Sequence, residues 1–311
     1  MNSKYSRWIE LGRNVLILAG LLLAGGLAFH YSPPVRLFTL AVVGRSPVCP
    51  LKLALKSARN VEETLRIKDR ILAGSRLVKE ESGLELWETP KGQYWIPKGN
   101  RWVLPYNLAE MERQVYGSGE HFVRPGDIVL DCGASDGDFA REALRAGAKL
   151  VVAVELSPSS VECLRRNLAA EIAGRRAIVY PKGVWDKDDS LMLNVDDTNF
   201  AANSVVLREG SMHAKVRVPL TTIDKLAAEL NLPRVDFIKM DVEGAEVPAL
   251  HGARATIRRF KPRLAIATEH KADDEYTIPA TVRDLRPDYR MECGQCLEEN
   301  GRVRPDVLFF F

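Results

Sequence analysis

Residues 127–139 read DIVLDCGASDGDF. An apolar run, Ile128 to Leu130, stops at an acid, Asp131, and a turn bounded by Gly133 and Gly137 follows at once. The next stretch, GDFAREALRAG, reads as a helix closed by Gly147. In open α/β sheets, ligands sit beyond the carboxyl ends of the strands, near the point where strand order reverses. Glycines at such a turn let a ligand approach the backbone.

Working outward, the alternation is regular from Asn107 onward. KLVVAVEL reads as a strand ending at Glu155, followed by the helix SPSSVECLRRNLAAEI. AIVYPKGVW reads as a third strand, and SLMLNV and AKVRVPL as an inserted hairpin. After the helix TTIDKLAAEL, a mostly apolar run between Asp236 and Asp241 reads as a central strand. A helix then starts at Glu246, and RLAIATEH is the next strand. Strands alternating with helices predict an α/β fold, a mostly parallel sheet covered on both faces. The segments YRMECGQ and DVLFFF, joined by the turn-like CLEENGRVRP, predict an antiparallel C-terminal edge.

In a parallel sheet the acids at the strand ends point into one crevice. Glu155 is placed to accept ribose hydroxyls of a nucleoside. A nicotinamide dinucleotide needs G-x-G-x-x-G, which GASDGDFA lacks, and Asp131, Asp136 and Asp138 would oppose a pyrophosphate. Acids there suit a ligand bearing an ammonium and a sulfonium, S-adenosylmethionine. Asp241, Glu243 and Glu246 cluster after the central strand, where a helix N-terminus also favours acids. Glu269 and His270 end the following strand.

These stretches resemble the FkbM family of S-adenosylmethionine-dependent methyltransferases over residues 107–311. The similarity lies in VLDCGASDGDFA, VAVELSPSSVECLRRN, VPLTTIDKLAAE and, most specifically, VDFIKMDVEGAEVPALHGA. It implies a class I methyltransferase (Rossmann-like) fold and O-methylation of a sugar, glycan or other small metabolite. Carried over by residue, Asp131, Gly133, Ala134 and Gly137 shape the methionine end of the cofactor site, Glu155 holds the ribose and Asp186 lies near the adenine. His270 is the candidate base, Asp241 its orienting partner or an acceptor for the substrate hydroxyl, and Glu243 holds the acceptor or caps the helix. No metal is expected. The alternatives are a membrane-anchored, non-catalytic S-adenosylmethionine-binding scaffold and a NAD-binding Rossmann enzyme.

The amino-terminal part differs. Val15 to Phe29 is an uncharged apolar run that extends to Leu11 and Tyr31 with Arg13 snorkelling, close to the roughly 20 residues a span needs. The expectation is a single-pass membrane anchor over residues 1–35. A cleaved signal peptide, with Gly26-Leu27-Ala28 as its site, is the rival. Lys4, Arg7 and Arg13 precede the run, whereas Arg36, Arg45, Lys52, Lys56 and Arg59 follow it. That bias predicts the catalytic domain in the cytoplasm, where S-adenosylmethionine is made.

Residues 36–106 read as a helical stalk to about residue 80, with Val61, Leu65, Ile67 or Lys68, and Leu72 near one face, and a β-hairpin cap turning at Pro90-Lys91-Gly92. The hairpin's Trp87, Tyr94 and Trp95 are candidates for a substrate entry or for packing. A net charge of +3, with no basic stripe interleaved with aromatics, argues against a nucleic-acid partner. Five cysteines do not suggest a disulfide framework, and Cys293 and Cys296 form a lone C-x-x-C.

Overall fold

The computed structural model describes residues 3–195, 199–206 and 214–311. Two compact units form, one of residues 1–60 with 296–304, the other of residues 61–295 with 305–311.

The larger unit is built on a seven-stranded sheet. Its strands, in chain order, are β1 (Ile128–Cys132), β2 (Leu150–Val154), β3 (Ala177–Tyr180), β4 (Phe237–Met240), β5 (Arg263–Ala267), β6 (Met291–Cys293) and β7 (Val307–Phe310). Their spatial order is β6-β7-β5-β4-β1-β2-β3. β5, β4, β1, β2 and β3 run parallel, while β7 runs antiparallel to β5 and β6 antiparallel to β7. Every residue of β1 and β4 is buried, as strands covered on both faces require. The chain returns from β3 across β1 to lay down β4, so the strand order reverses between β1 and β4. The expected mostly parallel sheet with an antiparallel carboxy-terminal edge is present.

The core gathers where helix Asp138–Arg145 lies on the sheet. Phe139 packs edge-on against Tyr116 and Phe122 and stacks on Phe237 of β4, at centroid distances of 5.8, 5.9 and 6.1 Å. Stacked and edge-to-face rings add attraction beyond the area they bury.

The insertion between β3 and β4 is the expected hairpin, Asp189–Val195 paired with Ala214–Thr221. Residues 196–198, within the polar stretch DDTNFAANS, lie outside the described residues. Before the sheet, helix Asn60–Ala73 buries Ile67 and Ile71, whereas Val61 and Leu65 are exposed. Ile67 and Ile71 lie one helical turn apart and pack against Tyr94, Ile96 and Leu104. The hairpin turns where expected, but Arg76–Glu81 adds a third antiparallel strand in residues read as helical.

In the smaller unit, helix Ser3–Tyr31 ends before Pro33, which opens the helix Pro33–Val42. Its stretch Glu10–Tyr31 is 22 residues long, apolar enough to cross a membrane, and has none of its window buried. A signal sequence passes the same test. Leu37, Leu40, Ala54 and Val303 pack around a disulfide between Cys49 and Cys296, 247 residues apart in sequence. This corrects the reading of the cysteines. The C-x-x-C is not a unit, because Cys296 lies in the hairpin Cys296–Glu299/Arg302–Pro305, formed where a simple turn was expected.

Phe139 is 1 % exposed and anchors the ring cluster. Phe139→Ala is expected to cost about 3–5 kcal/mol, within the range for buried aromatics. Urea denaturation followed by circular dichroism should show a lower midpoint.

Candidate active site

At the reversal of strand order, the ends of β1 and β4 nearly touch. Asp131 and Lys239 are register partners, as are Cys132 and Met240. The Asp241 N–H donates to the Cys132 carbonyl at 3.1 Å. Gly133 follows with φ +78°, and a Cβ there would lie 1.7 Å from the Asp241 carbonyl oxygen. Only glycine meets both demands.

Lys239 sits in this junction, 4 % exposed. Its ammonium donates to the Gly133 carbonyl at 2.7 Å and stands 3.5 Å from Asp131 and 3.6 Å from Asp241. It also lies 5.0 Å from the centroid of the Tyr116 ring, whose hydroxyl donates to Asp241 Oδ2 at 2.5 Å. Burial pushes the Asp131 carboxyl up to about 7, with Lys239 opposing. Burial also raises Asp241, but Lys239, His270 and the Tyr116 hydroxyl outweigh it and hold that carboxyl below its ordinary value.

Above the junction opens a cavity of about 530 Å³. Helix Val103–Glu112 presents Val103, Tyr106, Asn107, Glu110 and Met111 to it, a stripe at helical spacing. Glu110, Asp138, Glu155, Asp241, Glu243 and Glu269 line the cavity against only Lys182 and Lys239 among the described residues. Such a surplus of carboxylates attracts cations and accepts from hydroxyls.

Glu155 binds the turns together. Its carboxylate accepts from the backbone N–H groups of Ser135, Leu156 and Ser157 at 3.0, 2.9 and 2.8 Å. The turn after β1 is thereby tied to the turn after β2, and Glu155 still faces the cavity.

On the other side, Glu243 takes a left-handed backbone, φ +51°, followed by Gly244 at +89°. Both Asp241 and Glu243 line the cavity, and buried His270 contacts both of them. His270 Nδ1 is 2.9 Å from Glu246 Oε1, which also accepts from the Val242 N–H at 3.0 Å. Its Nε2 faces Asp241 Oδ1 at 3.4 Å and Glu243 Oε1 at 3.5 Å. Burial pulls the imidazole down, yet the carboxylates of Glu243, Glu246 and Asp241 outweigh that and hold it well above its ordinary value.

Of the residues read from the sequence, Gly133, Glu155, Asp241 and Glu243 line the cavity. Asp131 and Ala134 are buried beneath the turn, and Gly137 is the left-handed residue opening helix Asp138–Arg145. Asp186 is a correction. The short strand Gly183–Val184 runs beside Leu220 and Thr221, which puts Lys182 to Val184 on the cavity and leaves Asp186 exposed outside it. Asp241 stands beside His270 at Nε2, as read from the sequence, and Glu246 adds a second partner at Nδ1. Trp87, Tyr94 and Trp95 do not line the cavity, whereas Trp102 and Tyr106 do. Tyr94 is buried in the core beside helix Asn60–Ala73, and Trp95 is held under Lys79 and Arg166.

Sequence reasoning missed Lys239, Tyr116, Glu110 and Asp138 as site residues. A lysine within an otherwise apolar central strand was the available signal for the first.

A family model described as the methyltransferase FkbM domain matches residues 131–292, just over half of the 311 residues. Among solved structures, the chain is similar to methyltransferase FkbM from Methylobacillus flagellatus KT, with 18% identity and a TM-score of 0.45 over 82% of this chain and 59% of that one. The chain therefore spans less than two thirds of that structure's length. It is also similar to M. jannaschii TYW2 in complex with AdoMet (13% identity, TM-score 0.40, 76% of this chain and 88% of that one). A third likeness is to a putative methyltransferase from Streptococcus mutans in complex with SAH (11% identity, TM-score 0.40, 65% and 96%). No curated protein matches the sequence.

Removing one partner of a buried charge cluster strands the others. Lys239→Met is expected to cost about 3–5 kcal/mol. Chemical denaturation should show the loss, and adding Asp131→Asn to Lys239→Met should recover part of it.

Proposed function

The chain belongs to the FkbM methyltransferase family, and on that premise we propose that it moves the methyl group of S-adenosylmethionine to a hydroxyl of a sugar, glycan or other small metabolite at a membrane. The observation that carries this reading is the acid-lined cavity at the reversal of strand order, with Glu155 and Asp138 on one side and Asp241 and Glu243 on the other. Glu155 accepts from ribose hydroxyls. Asp138 and the carbonyls of the Gly133 turn face the ammonium and sulfonium. Two carboxylates in this place repel a pyrophosphate, which disfavours the NAD reading.

In the transfer, an oxygen lone pair of the acceptor forms the new O–C bond as the C–S bond breaks. The bonding pair returns to sulfur and leaves neutral S-adenosylhomocysteine. The hydroxyl proton passes to one of the carboxylates facing the cavity. His270, the base read from the sequence, does not itself line the cavity, whereas Asp241 and Glu243 do. Holding the oxygen in line with the sulfonium methyl lowers the barrier through positioning, and proton removal contributes roughly 10²–10⁴-fold.

Glu155→Ala should weaken S-adenosylmethionine binding by roughly 1–3 kcal/mol, the range for hydrogen bonds to a charged acceptor, as read by calorimetry. Unchanged affinity would remove Glu155 from the cofactor site, and preference for NAD would overturn the reading. Incubation with labelled S-adenosylmethionine and fractionated cell lipids and glycans should label an acceptor. Cofactor binding with no labelled product in any fraction would favour the non-catalytic scaffold.

The helix Ser3–Tyr31 is proposed as a single-pass anchor with the catalytic domain in the cytoplasm, on the charge bias and the source of the cofactor. The Cys49–Cys296 disulfide favours the opposite side, since such bonds persist in oxidising compartments and are rare in the cytosol. Protease treatment of intact spheroplasts should leave the domain uncut. Cleavage together with an intact disulfide would place the domain outside.

A further inference from the structure

We propose that Asp241, Glu243 and His270 form a divalent-cation site on the cavity wall, and that the acceptor carries two adjacent oxygens that chelate this cation. The part concerning the acceptor rests on the methyltransferase reading; the cation site does not.

The geometry begins with Glu246. This carboxylate is buried, and its Oε1 accepts from the Val242 N–H and from His270 Nδ1. A carboxylate accepting from a ring nitrogen fixes the proton on that nitrogen. His270 Nε2 then turns the other way, on a side chain only 7 % exposed. There it meets Asp241 Oδ1 at 3.4 Å and Glu243 Oε1 at 3.5 Å. Asp241 Oδ2 is already engaged by the Tyr116 hydroxyl, which leaves Oδ1 for this corner.

Three electron-pair donors therefore converge, all within 4.8 Å of one another. A positive charge has to stand among them. A proton on Nε2 fits poorly, because charge-assisted N–H···O bonds run about 2.7–2.9 Å and both separations are much longer and nearly equal. A metal ion fits better. Ligands about 2.1 Å from a cation, at angles between octahedral and tetrahedral, stand about 3.0–3.4 Å from one another. Two carboxylates and one imidazole suit a first-row divalent ion, and the Glu246–His270 contact supplies the outer hydrogen bond that metal-bound histidines use.

Two of the three ligands, Asp241 and Glu243, line the cavity, and His270 does not, so open coordination positions are reached from the cavity side. In six-coordination three protein ligands leave three positions, enough for two acceptor oxygens and a water. This favours a vicinal diol or a hydroxy-carbonyl compound over an isolated alcohol. A hydroxyl bound to the cation gives up its proton more readily. The water in the remaining position passes that proton on to solvent.

The test is titration of the full-length protein in detergent with Mn²⁺ alone, followed by electron paramagnetic resonance. Saturable binding is expected, weakened at least about tenfold by Asp241→Asn, Glu243→Gln or His270→Ala. Glu246→Gln should weaken it by about 10–100-fold, as loss of an outer-shell partner does. Asp288→Asn, on the surface, should leave it unchanged. Glu243 is partly exposed, so Glu243→Gln keeps the test decisive if His270→Ala fails to fold. No saturable binding below about 1 mM, the weak end for biological divalent sites, would overturn the proposal, as would affinity indifferent to all three substitutions. Methyl transfer that proceeds undiminished in EDTA would overturn the chelated acceptor while leaving the methyltransferase reading intact. Triad-dependent Mn²⁺ binding without any S-adenosylmethionine binding would do the reverse. Given a metal-dependent transfer, vicinal diols should outcompete matched mono-alcohols as acceptors, and equal use of both would sink the chelation.

Discussion

The Lys239 ammonium, buried among Asp131, Asp241 and the Gly133 carbonyl, is the interaction on which the larger unit turns. Two adjacent parallel strands end there on acids, and without a cation their carboxylates would repel one another in a medium that screens poorly. The lysine neutralises them and bonds the turn itself. The Gly133 position then lets the backbone after β1 come against the backbone after β4, so the cavity floor is rigid at the place where strand order reverses. A buried ion cluster is weak evidence for stability as such. Here its effect is positional, because it determines where Asp241 and the turn stand relative to the cavity.

From that floor the cavity is assembled by backbone hydrogen bonds to carboxylates. Glu155 ties one turn to another, and Glu246 ties the loop after β4 to His270. Glu155 is thus oriented by backbone N–H groups, and Asp241 and Glu243 stand against a histidine that Glu246 holds. The inserted hairpin joins this arrangement through the Ser204 hydroxyl, which donates to the Glu243 carbonyl at 2.7 Å. Trp102, Tyr106 and Phe200 add aromatic surface to the lining. Charged and aromatic groups lining one cavity suit a ligand with a cationic centre and a flat ring system.

The smaller unit follows a different logic. The stretch Glu10–Tyr31 of its first helix is largely apolar and has no buried residue. The short segments after it have few apolar residues to bury, and a covalent bond between Cys49 and Cys296 stands at the centre of their small cluster.

The sequence by itself determined the order and type of the sheet strands, the acid–glycine turn after β1 and the acid-rich end of β4. These are local patterns: continuous apolar runs for buried strands, glycine where the backbone must turn left, and acids at strand ends. The antiparallel edge was legible for the same reason, since so short a connection cannot carry a parallel crossover. Only the tertiary structure decided what depends on contacts between distant residues. The cation that neutralises Asp131 comes from Lys239, the hydroxyl on Asp241 from Tyr116, and the partner of Cys296 from Cys49. Asp186 left the cavity because a two-residue strand pairing with Leu220 and Thr221 turned the chain outward. The ring of His270 is held by Glu246, on the helix after β4. None of these pairings has a local signature, because each depends on which strand ends the sheet order brings together, and sheet order is a property of the folded chain.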